Sequence, residues 1–219
     1  MELQQLKAHS LGLLNPIFAK IVAFVDYGDV NFWYDKDQRD WKGNTLPENH
    51  KLIVDIEKLS RFTSSFCSEK RFYYGWNPRK MGNWHIVIKA ERYGFVKSTK
   101  PMQFIRHDVG GAVVSRAGKT VKKDKNGSSI EIPKGNSDVE ICVDAIRTTD
   151  RYDTFCLFSG DSDFAYLAKY LRKKGKKVII VAAGHISHTL KEVADLYINA
   201  QDIKQEITNV KAIKTNHAP

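Results

Sequence analysis

The sequence predicts an α/β fold in which a central, mostly parallel sheet is flanked by helices. Two short, nearly continuous apolar runs, at residues 20–26 and 154–159, are typical of strands buried on both faces of a parallel sheet. The second run is followed by a helical segment, Gly175 and a further apolar run at 178–182, which is a βαβ pattern. With 219 residues, 42% of them hydrophobic, the chain can bury one such core, so we expect a single domain.

The first half of the chain alternates predicted strands and helices. The first strand ends in an acid, Asp26. Pro47 suits a first helical position, and apolar residues follow at helical spacing at 52, 56, 59 and 66, which predicts a helix. The next predicted elements are a strand over 71–76, a helix over 82–93 closed by Gly94, and a third strand over 102–106.

The second half opens with a lysine-rich segment, residues 110–133, which we predict to be an exposed hairpin insertion. Its Asn126-Gly127 pair is a favoured hairpin turn. Ser137 and Glu140 have the spacing of a capping box, and an apolar stripe at 139, 142, 143 and 146 favours a helix after them. The remaining predicted elements are a helix over 163–174, a helix over 187–194, an edge strand over 195–199 and a peripheral tail over 204–219.

Charge and composition favour a polyanionic partner. Lys and Arg number 35 against 25 Asp and Glu, giving a formal net charge of +10, and nucleic acid is the leading candidate. No apolar run approaches the roughly 20 residues that cross a bilayer, and the start lacks a secretory pattern, so we expect a cytoplasmic protein without a membrane partner. The three cysteines lack paired short spacing and are interpreted as reduced thiols.

Two acids follow the strand at 154–159. Gly160 permits a tight turn, so Asp161 and Asp163 can face one cation above the sheet. Helix capping is the alternative, because Asp is favoured at an N-cap and in a first turn. Capping accounts for one of these acids more readily than for both.

Further acids are expected at the same edge of the sheet. Loops at the carboxyl ends of parallel strands meet where the strand order reverses, so Asp26 can approach Asp161 and Asp163 if their strands pair. Asp138, at a predicted helix start, can join them. Four acids at this spacing repel by roughly 4 kcal/mol per pair unless a cation or raised pKa values relieve the charge. Hard oxygen ligands select Mg²⁺ or Mn²⁺, ions that support phosphodiester cleavage.

These motifs resemble the NYN domain, the LabA-like branch of the PIN-like nucleases. The resemblance is carried by Phe24-Val25-Asp26, Lys134-Gly135-Asn136-Ser137-Asp138 and the segment from Ser159 to Phe164, and it covers roughly residues 20–199. It implies a single PIN-like, Rossmann-like domain. It also implies a metal-dependent endoribonuclease whose substrate is RNA, single-stranded or looped, with a homodimer left open.

The resemblance implies roles for individual residues. Asp26, Asp138, Asp161 and Asp163 would bind one or two divalent ions and carry catalysis, with Asp144 as a further metal candidate or a solvated helix acid. The family usually has Asn three residues after its first Asp. Asp29 stands there in this chain, so either Asn31 takes that role through a shifted turn or the site carries an extra acid.

Substrate contacts are predicted at several other positions. Lys134 precedes an acidic helix start and can contact a phosphate beside the metals, and the Ser159 hydroxyl can orient water or phosphate. Hairpin lysines, among them Lys122 and Lys123, are preferred as RNA contacts. The basic run at 172–177 is interpreted as a solvated helix end, because cations there stabilise the helix dipole.

Two other functions compete with a ribonuclease. The first is an RNA-binding NYN module that keeps the fold and acids without turnover, as the extra Asp29 would permit. The second is a HAD-like phosphatase. That enzyme class expects a partner acid two residues after its nucleophile, whereas Asp26 is followed by Tyr27 and Gly28.

Overall fold

A six-stranded sheet forms the centre of the molecule. The computed structural model describes residues 3–79, 84–109, 120–124, 127–184 and 186–213. The strands of the central sheet, numbered along the chain together with those described below, are β1 (Ile21–Asp26), β3 (Glu69–Trp76), β4 (Val96–Pro101), β8 (Thr154–Phe158), β9 (Lys177–Ala182) and β10 (Leu196–Asn199). They lie in the order β10-β9-β8-β1-β3-β4, and every adjacent pair is parallel. The predicted α/β class, with β10 at an edge, is confirmed.

Strand β1 lies between β3 and β8 and is buried on both faces. Its residues Ala23 and Val25 contact one hydrophobic core, whereas Val22 and Phe24 contact the other. Since neither face meets water, the strand has no need of alternating polar residues, which explains the continuous apolar run. The predicted pairing of the first strand with the strand that leads to Ser159 is confirmed.

Helices cover both faces of the sheet. The core that contains Val25 is covered by α1 (Leu3–Ser10), α2 (Tyr27–Val30), α3 (Ile56–Ser64), α4 (Trp84–Arg92) and α8 (Lys204–Ile207). The opposite core is covered by α5 (Asp138–Arg147), α6 (Phe164–Lys173) and α7 (His188–Glu192). Gly175 closes α6 with a φ of 78°, as its position predicts. Within the described ranges, no helix has the length and apolar character to cross a bilayer.

A separate antiparallel sheet follows β4. It consists of β5 (Gln103–Val109), β6 (Thr120–Asp124) and β7 (Gly127–Lys134), in the order β5-β7-β6. Asp124 pairs with Gly127, which agrees with the predicted hairpin, although residues 110–119 and 125–126 lie outside the described residues. The third strand predicted at 102–106 is therefore part of this sheet, while the central sheet takes β4, which we did not predict.

The helix predicted to start at Pro47 is wrong in its first part. Residues His50–Val54 form strand β2, and α3 starts only after Asp55, whose side chain accepts a hydrogen bond from the Lys58 backbone N–H at 3.0 Å. The error arises because Leu52, in the strand, lies four residues before Ile56, in the helix, which imitates helical spacing.

The predicted peripheral tail is also corrected. After α8, strand β11 (Thr208–Ala212) pairs antiparallel with β2. Ile207 and Thr208 are fully buried, and Lys58 Nζ donates to the Thr208 carbonyl at 2.7 Å. Residues 204–212 are thus part of the fold. Residues 214–219 lie outside the described residues.

Helix α5 is oriented differently from the sequence prediction. Its buried residues are Ile141 and Ala145, whereas Val139, in the predicted apolar stripe, is 70% exposed. The capping box is also wrong, because the Ser137 side chain makes no capping hydrogen bond and Glu140 binds Lys100 at 2.8 Å. The narrower buried face leaves an apolar strip of this helix open to solvent.

Candidate metal centre

Acidic residues meet at the carboxyl edge of the central sheet. Asp26 is the last residue of β1, and Asp161 and Asp163 follow β8, its parallel neighbour. Asp138 is the first residue of α5, which packs against β1. The parallel pairing of β1 and β8 therefore brings together acids that are more than 100 residues apart in the sequence.

Three of these carboxylates have the spacing of a cation site. Asp138, Asp161 and Asp163 each offer an oxygen, and these oxygens lie within 4.8 Å of one another, the one such group among the residues described. Oxygens that share one cation at about 2.1–2.4 Å lie at most about 4–5 Å apart, so the residues fit Mg²⁺, Mn²⁺ or Ca²⁺. Capping does not account for Asp163, because its side chain makes no capping hydrogen bond to α6.

Asp26 is not one of these three carboxylates and is partly buried. Burial, followed by the charges of Asp29 and Asp138, raises the pKa of the Asp26 carboxyl to about 7. The backbone N–H of Gly28 donates to Asp26 Oδ1 at 3.1 Å and opposes this rise. Partial burial, with the charges of Asp161 and Asp163, also raises the pKa of Asp138. A cation would stabilise both carboxylates in their ionised forms.

Asp29, the departure from the family pattern, holds the loop that carries the other acids. Its Oδ2 accepts hydrogen bonds from the Ser159 hydroxyl at 3.1 Å and from the Gly160 backbone N–H at 2.8 Å. The loop after β8 then turns back on itself, since the Asp161 N–H donates to Ser159 Oγ at 3.3 Å. Asp29 therefore connects α2 to the strand end that presents Asp161.

Asp138 is positioned by the segment before α5. The Asn136 side chain accepts a hydrogen bond from the Asp138 N–H at 2.9 Å and donates another to its carboxylate. Gly135 approaches Gly75 of β3 so closely that a Cβ atom at position 75 would collide with the Gly135 backbone. This contact between two backbones fixes where the segment leaves the sheet.

Asp144 does not join the cluster, which corrects its prediction as a metal ligand. Its Oδ2 accepts a hydrogen bond from the Tyr73 hydroxyl at 2.9 Å and lies 3.6 Å from an Arg71 guanidinium nitrogen. Six residues after Asp138, Asp144 is nearly two turns further along α5 and contacts β3 instead of the loop after β8.

Other predicted site residues occupy different positions. Ser159 is fully buried and bonded to Asp29, so it does not face a substrate as we predicted. Asn31 is partly buried and follows α2, where its backbone N–H donates to the Tyr27 carbonyl at 3.2 Å. Asp29, not Asn31, makes the contact to the loop. Lys134 ends β7, and Lys122 and Lys123 lie within β6.

Two features of the site were missed in the sequence. Asn136 stands two residues before Asp138, a spacing at which Asn often bonds to the backbone, so a signal was present. Tyr166 stands three residues after Asp163, on the same side of α6, and is 83% exposed. Its spacing indicated the face, but only the packing of α6 shows that this face meets solvent.

The sequence profile of the NYN domain matches residues 20–203. The chain belongs to the NYN domain family. It is 29% identical over 167 residues to low amplitude and bright protein LabA of Synechococcus elongatus, an alignment that covers 72% of this chain and 87% of LabA. Both matches confirm the resemblance stated from the motifs.

A structural comparison finds a solved structure with a similar fold. The crystal structure of a protein of unknown function from Vibrio parahaemolyticus RIMD 2210633 superposes with a TM-score of 0.55 at 21% identity, covering 89% of this chain and 99% of that chain. This likeness supports the fold alone. NYN domains belong to the PIN-like nuclease superfamily, whose members are generally nucleases and typically use divalent metals.

Proposed function

We propose that this NYN domain is a metal-dependent endoribonuclease that hydrolyses RNA phosphodiester bonds with Mg²⁺ or Mn²⁺. The observation that carries the proposal is the group of three carboxylate oxygens, from Asp138, Asp161 and Asp163, within 4.8 Å of one another. Membership of a family of nucleases supports the same reaction. The HAD-like phosphatase is disfavoured because Gly28, not an acid, stands two residues after Asp26 and donates its N–H to that carboxylate.

Each acid has a part in this proposal. Asp138, Asp161 and Asp163 would hold the cation, and Asp26 would add negative charge from the end of β1. When bound, such a cation polarises phosphate, lowers the pKa of water and stabilises a leaving oxygen. Asp29 keeps the loop in place through Ser159 and Gly160. The net charge of +10 favours a polyanionic substrate.

Lysines would contact the phosphates of the substrate. Lys134 is the last residue of β7, four residues before Asp138, and Lys122 and Lys123 lie in the neighbouring strand of the same sheet. Each phosphate that such a lysine neutralises adds about 0.7 to the salt slope of single-strand binding. The proposed substrate is RNA that is single-stranded or looped.

The test is Asp161→Asn, which removes charge with little change of size. We expect loss of RNA cleavage and at least tenfold weaker Mn²⁺ binding by calorimetry, with the melting temperature retained in EDTA. Asp150→Asn, at an exposed acid of the 3₁₀ turn after α5, is the matched control and should behave as wild type. Full cleavage by folded Asp161→Asn would contradict the proposal.

A non-catalytic RNA-binding module is the second candidate. It is favoured by the extra acid Asp29, whose charge helps to raise the pKa of Asp26 to about 7 and so reduces its ionisation at neutral pH. This candidate expects RNA binding without cleavage at any Mn²⁺ concentration. Cleavage that appears between pH 7 and 9 and is lost with Asp161→Asn would decide for the nuclease.

A further inference from the structure

The outer face of α6 combines an exposed tyrosine, Tyr166, and a half-buried one, Tyr170, with exposed lysines. The helix buries Phe164, Leu167 and Leu171, which leaves a stripe on the other side. Its members are spaced three or four residues apart, so they share one face. We call this stripe the α6 track; it consists of Tyr166, Lys169, Tyr170 and Lys173.

The α6 track begins beside the acid cluster. Asp163 is the N-cap of α6, and Tyr166 follows one turn later with 83% of its surface exposed. From Asp163 to Lys173 the helix rises about 15 Å, at 1.5 Å per residue. A ligand that lies along this face therefore reaches the three carboxylates without leaving the helix.

Open cavities lie on both sides of the tyrosines. One, of about 400 Å³, is lined by Asp163, Ile146 and Leu167 together with Tyr166 and Tyr170. The other, of about 470 Å³, is lined by the same two tyrosines and by the basic residues Lys169, Arg172 and Lys173. The tyrosines thus form a wall with an apolar space on the α5 side and a basic space on the α7 side.

The lysines of the track are available for a ligand. Neither Lys169 nor Lys173 forms an ion pair within the part of the chain that the structure describes, whereas Arg172 and Lys177 both lie 3.5 Å from Asp195. Lys174 Nζ lies 5.7 Å from the Tyr170 ring centroid, which adds positive charge beside the track. Aromatic rings that are open to solvent at least in part, next to lysines without an ion pair, are features that bind single-stranded nucleic acid through base stacking and phosphate contacts.

A second copy of the chain fits this surface less well. In a twofold dimer the same patch meets itself, so the positive charges of Lys169 and Lys173 from both protomers would be brought into one interface. Like charges brought together in an interface oppose association. A phosphate backbone, in contrast, complements these charges.

We propose that the α6 track binds a single strand of nucleic acid and directs it towards the acid cluster. The proposal rests on the proposed nuclease function, and it names the surface that holds the strand beside the cleavage site. Bases stack on Tyr166 and Tyr170, and Lys169 and Lys173 contact phosphates. The strand leaves the track at Asp163, where the carboxylates begin.

The experiment measures binding without turnover. Fluorescence anisotropy with a short, mixed-sequence, single-stranded RNA in EDTA should show roughly tenfold weaker binding for Tyr166→Ala, as expected for the loss of one stacked base. Tyr166→Phe keeps the ring and should bind as wild type. Lys169→Ser with Lys173→Ser should flatten the plot of log affinity against log salt by about 1.4, from about 0.7 per phosphate.

One double variant controls for the loss of charge, and a second tests the lysines of β6 that are also proposed as phosphate contacts. Lys36→Ser with Lys211→Ser removes two exposed lysines outside α6, one in the turn after α2 and one in β11, and Lys122→Ser with Lys123→Ser removes two lysines of β6. The first should keep the wild-type slope. If only the β6 variant lowers affinity and slope, the track is not the binding surface and the proposal is overturned.

Further outcomes separate the alternatives. Sedimentation of each variant reports mass, and a dimer that Tyr166→Ala dissociates without changing RNA affinity would assign the face to a second copy and overturn the proposal. Unchanged affinity and slope in the α6 variants, with wild-type cleavage, would overturn the track and leave the nuclease intact. If RNA binding depends on the α6 residues but the wild-type protein cleaves no RNA with Mn²⁺, the nuclease proposal alone is contradicted and the binding surface stands.

Discussion

Burial and two neighbouring carboxylates give Asp26 an electrostatic cost in the folded protein. The pKa of its carboxyl rises from an ordinary 3.8 to about 7, first through burial and then through Asp29 and Asp138. A proton is therefore retained in the folded state over a pH range in which the unfolded chain has released it. Site geometry of this kind is maintained at the expense of stability at neutral pH.

We expect this cost to appear as pH-dependent stability in EDTA. Because the folded protein binds the extra proton between pH 4 and 7, its free energy of unfolding should fall as pH rises through that range and level off above about 7. In Asp26→Asn, the decrease in the free energy of unfolding over this pH range should be smaller by roughly 2–4 kcal/mol. Urea unfolding of both proteins at pH 5 and pH 8 measures the difference.

The control for this prediction is Asp150→Asn, whose exposed acid should leave the wild-type pH dependence unchanged. Parallel stability curves for wild type and Asp26→Asn would show that Asp26 does not titrate near pH 7. Added Mn²⁺ should stabilise wild type more than Asp26→Asn above pH 7. A ligand that binds only the native state stabilises it by mass action, and wild type should bind Mn²⁺ more tightly.

Asp29 makes a different prediction, since its carboxylate accepts two hydrogen bonds from the loop after β8. Asp29→Ala leaves the Gly160 N–H and the buried Ser159 hydroxyl without this acceptor, and we expect a loss of about 1–3 kcal/mol in the free energy of unfolding. Asp35→Ala, which removes an exposed ion pair with Lys51, should cost under about 1 kcal/mol. Equal effects of the two changes would contradict the role given to Asp29.

Among the elements, the contact between β3 and the segment before α5 is the tightest that bears on the site. A Cβ atom at Gly75 would meet the Gly135 backbone, whereas one at Gly135 would meet the side chain of Met102 at 2.6 Å. Backbone cannot move as readily as a methionine side chain. The two glycines therefore differ in how much substitution they tolerate.

We expect Gly75→Ala to destabilise the protein by about 2 kcal/mol or more, and Gly135→Ala by clearly less. Gly75→Ala should also weaken Mn²⁺ binding, because the shifted segment carries Asn136 and Asp138. Thermal unfolding and calorimetry of both variants measure the two effects. If Gly135→Ala loses more stability than Gly75→Ala, the Met102 side chain cannot move away from the added methyl group.

The elements that sequence patterns predicted well are those with a strong local signal. Strands β1 and β8 are continuous apolar runs, and α6 ends at a glycine. Asp26, Asp161 and Asp163 stand at the ends of these elements, and Asp138 stands at the start of α5, which was also predicted.

The errors lie where tertiary packing decides. Strand β2 is recognisable only through its partner β11, and the buried face of α5 depends on its contacts with α6 and β1. Asp144 differs from Asp138 only in which neighbour it meets, and Arg71 and Tyr73 of β3 are distant in sequence. The role of Asp29 likewise depends on a loop 131 residues away.

On the scale of the whole molecule, residues 204–212 pack the end of the described chain against β2 and α3. Deleting residues from Lys204 onwards removes buried Ile207 and leaves β2 without a partner. We expect a loss of more than about 3 kcal/mol in the free energy of unfolding, from apolar burial and packing. A deletion that starts after Ile213 is the control and should keep most of the stability. Urea unfolding of both truncated proteins tests this. Equal stability of the two would show that residues 204–213 contribute little to the fold.

The position of β1 in the sheet has a consequence for synthesis on the ribosome. One edge of β1 pairs with β3, which is synthesised soon afterwards. The other edge pairs with β8, in which Thr154 lies opposite Ile21, and β8 is synthesised much later. Until that strand emerges, a nascent chain carries an open edge of Val, Ala and Phe, the kind of edge that pairs with other chains. Contacts between such distant strands also close slowly. Newly made protein should therefore depend on chaperones until residues beyond 158 have left the exit tunnel.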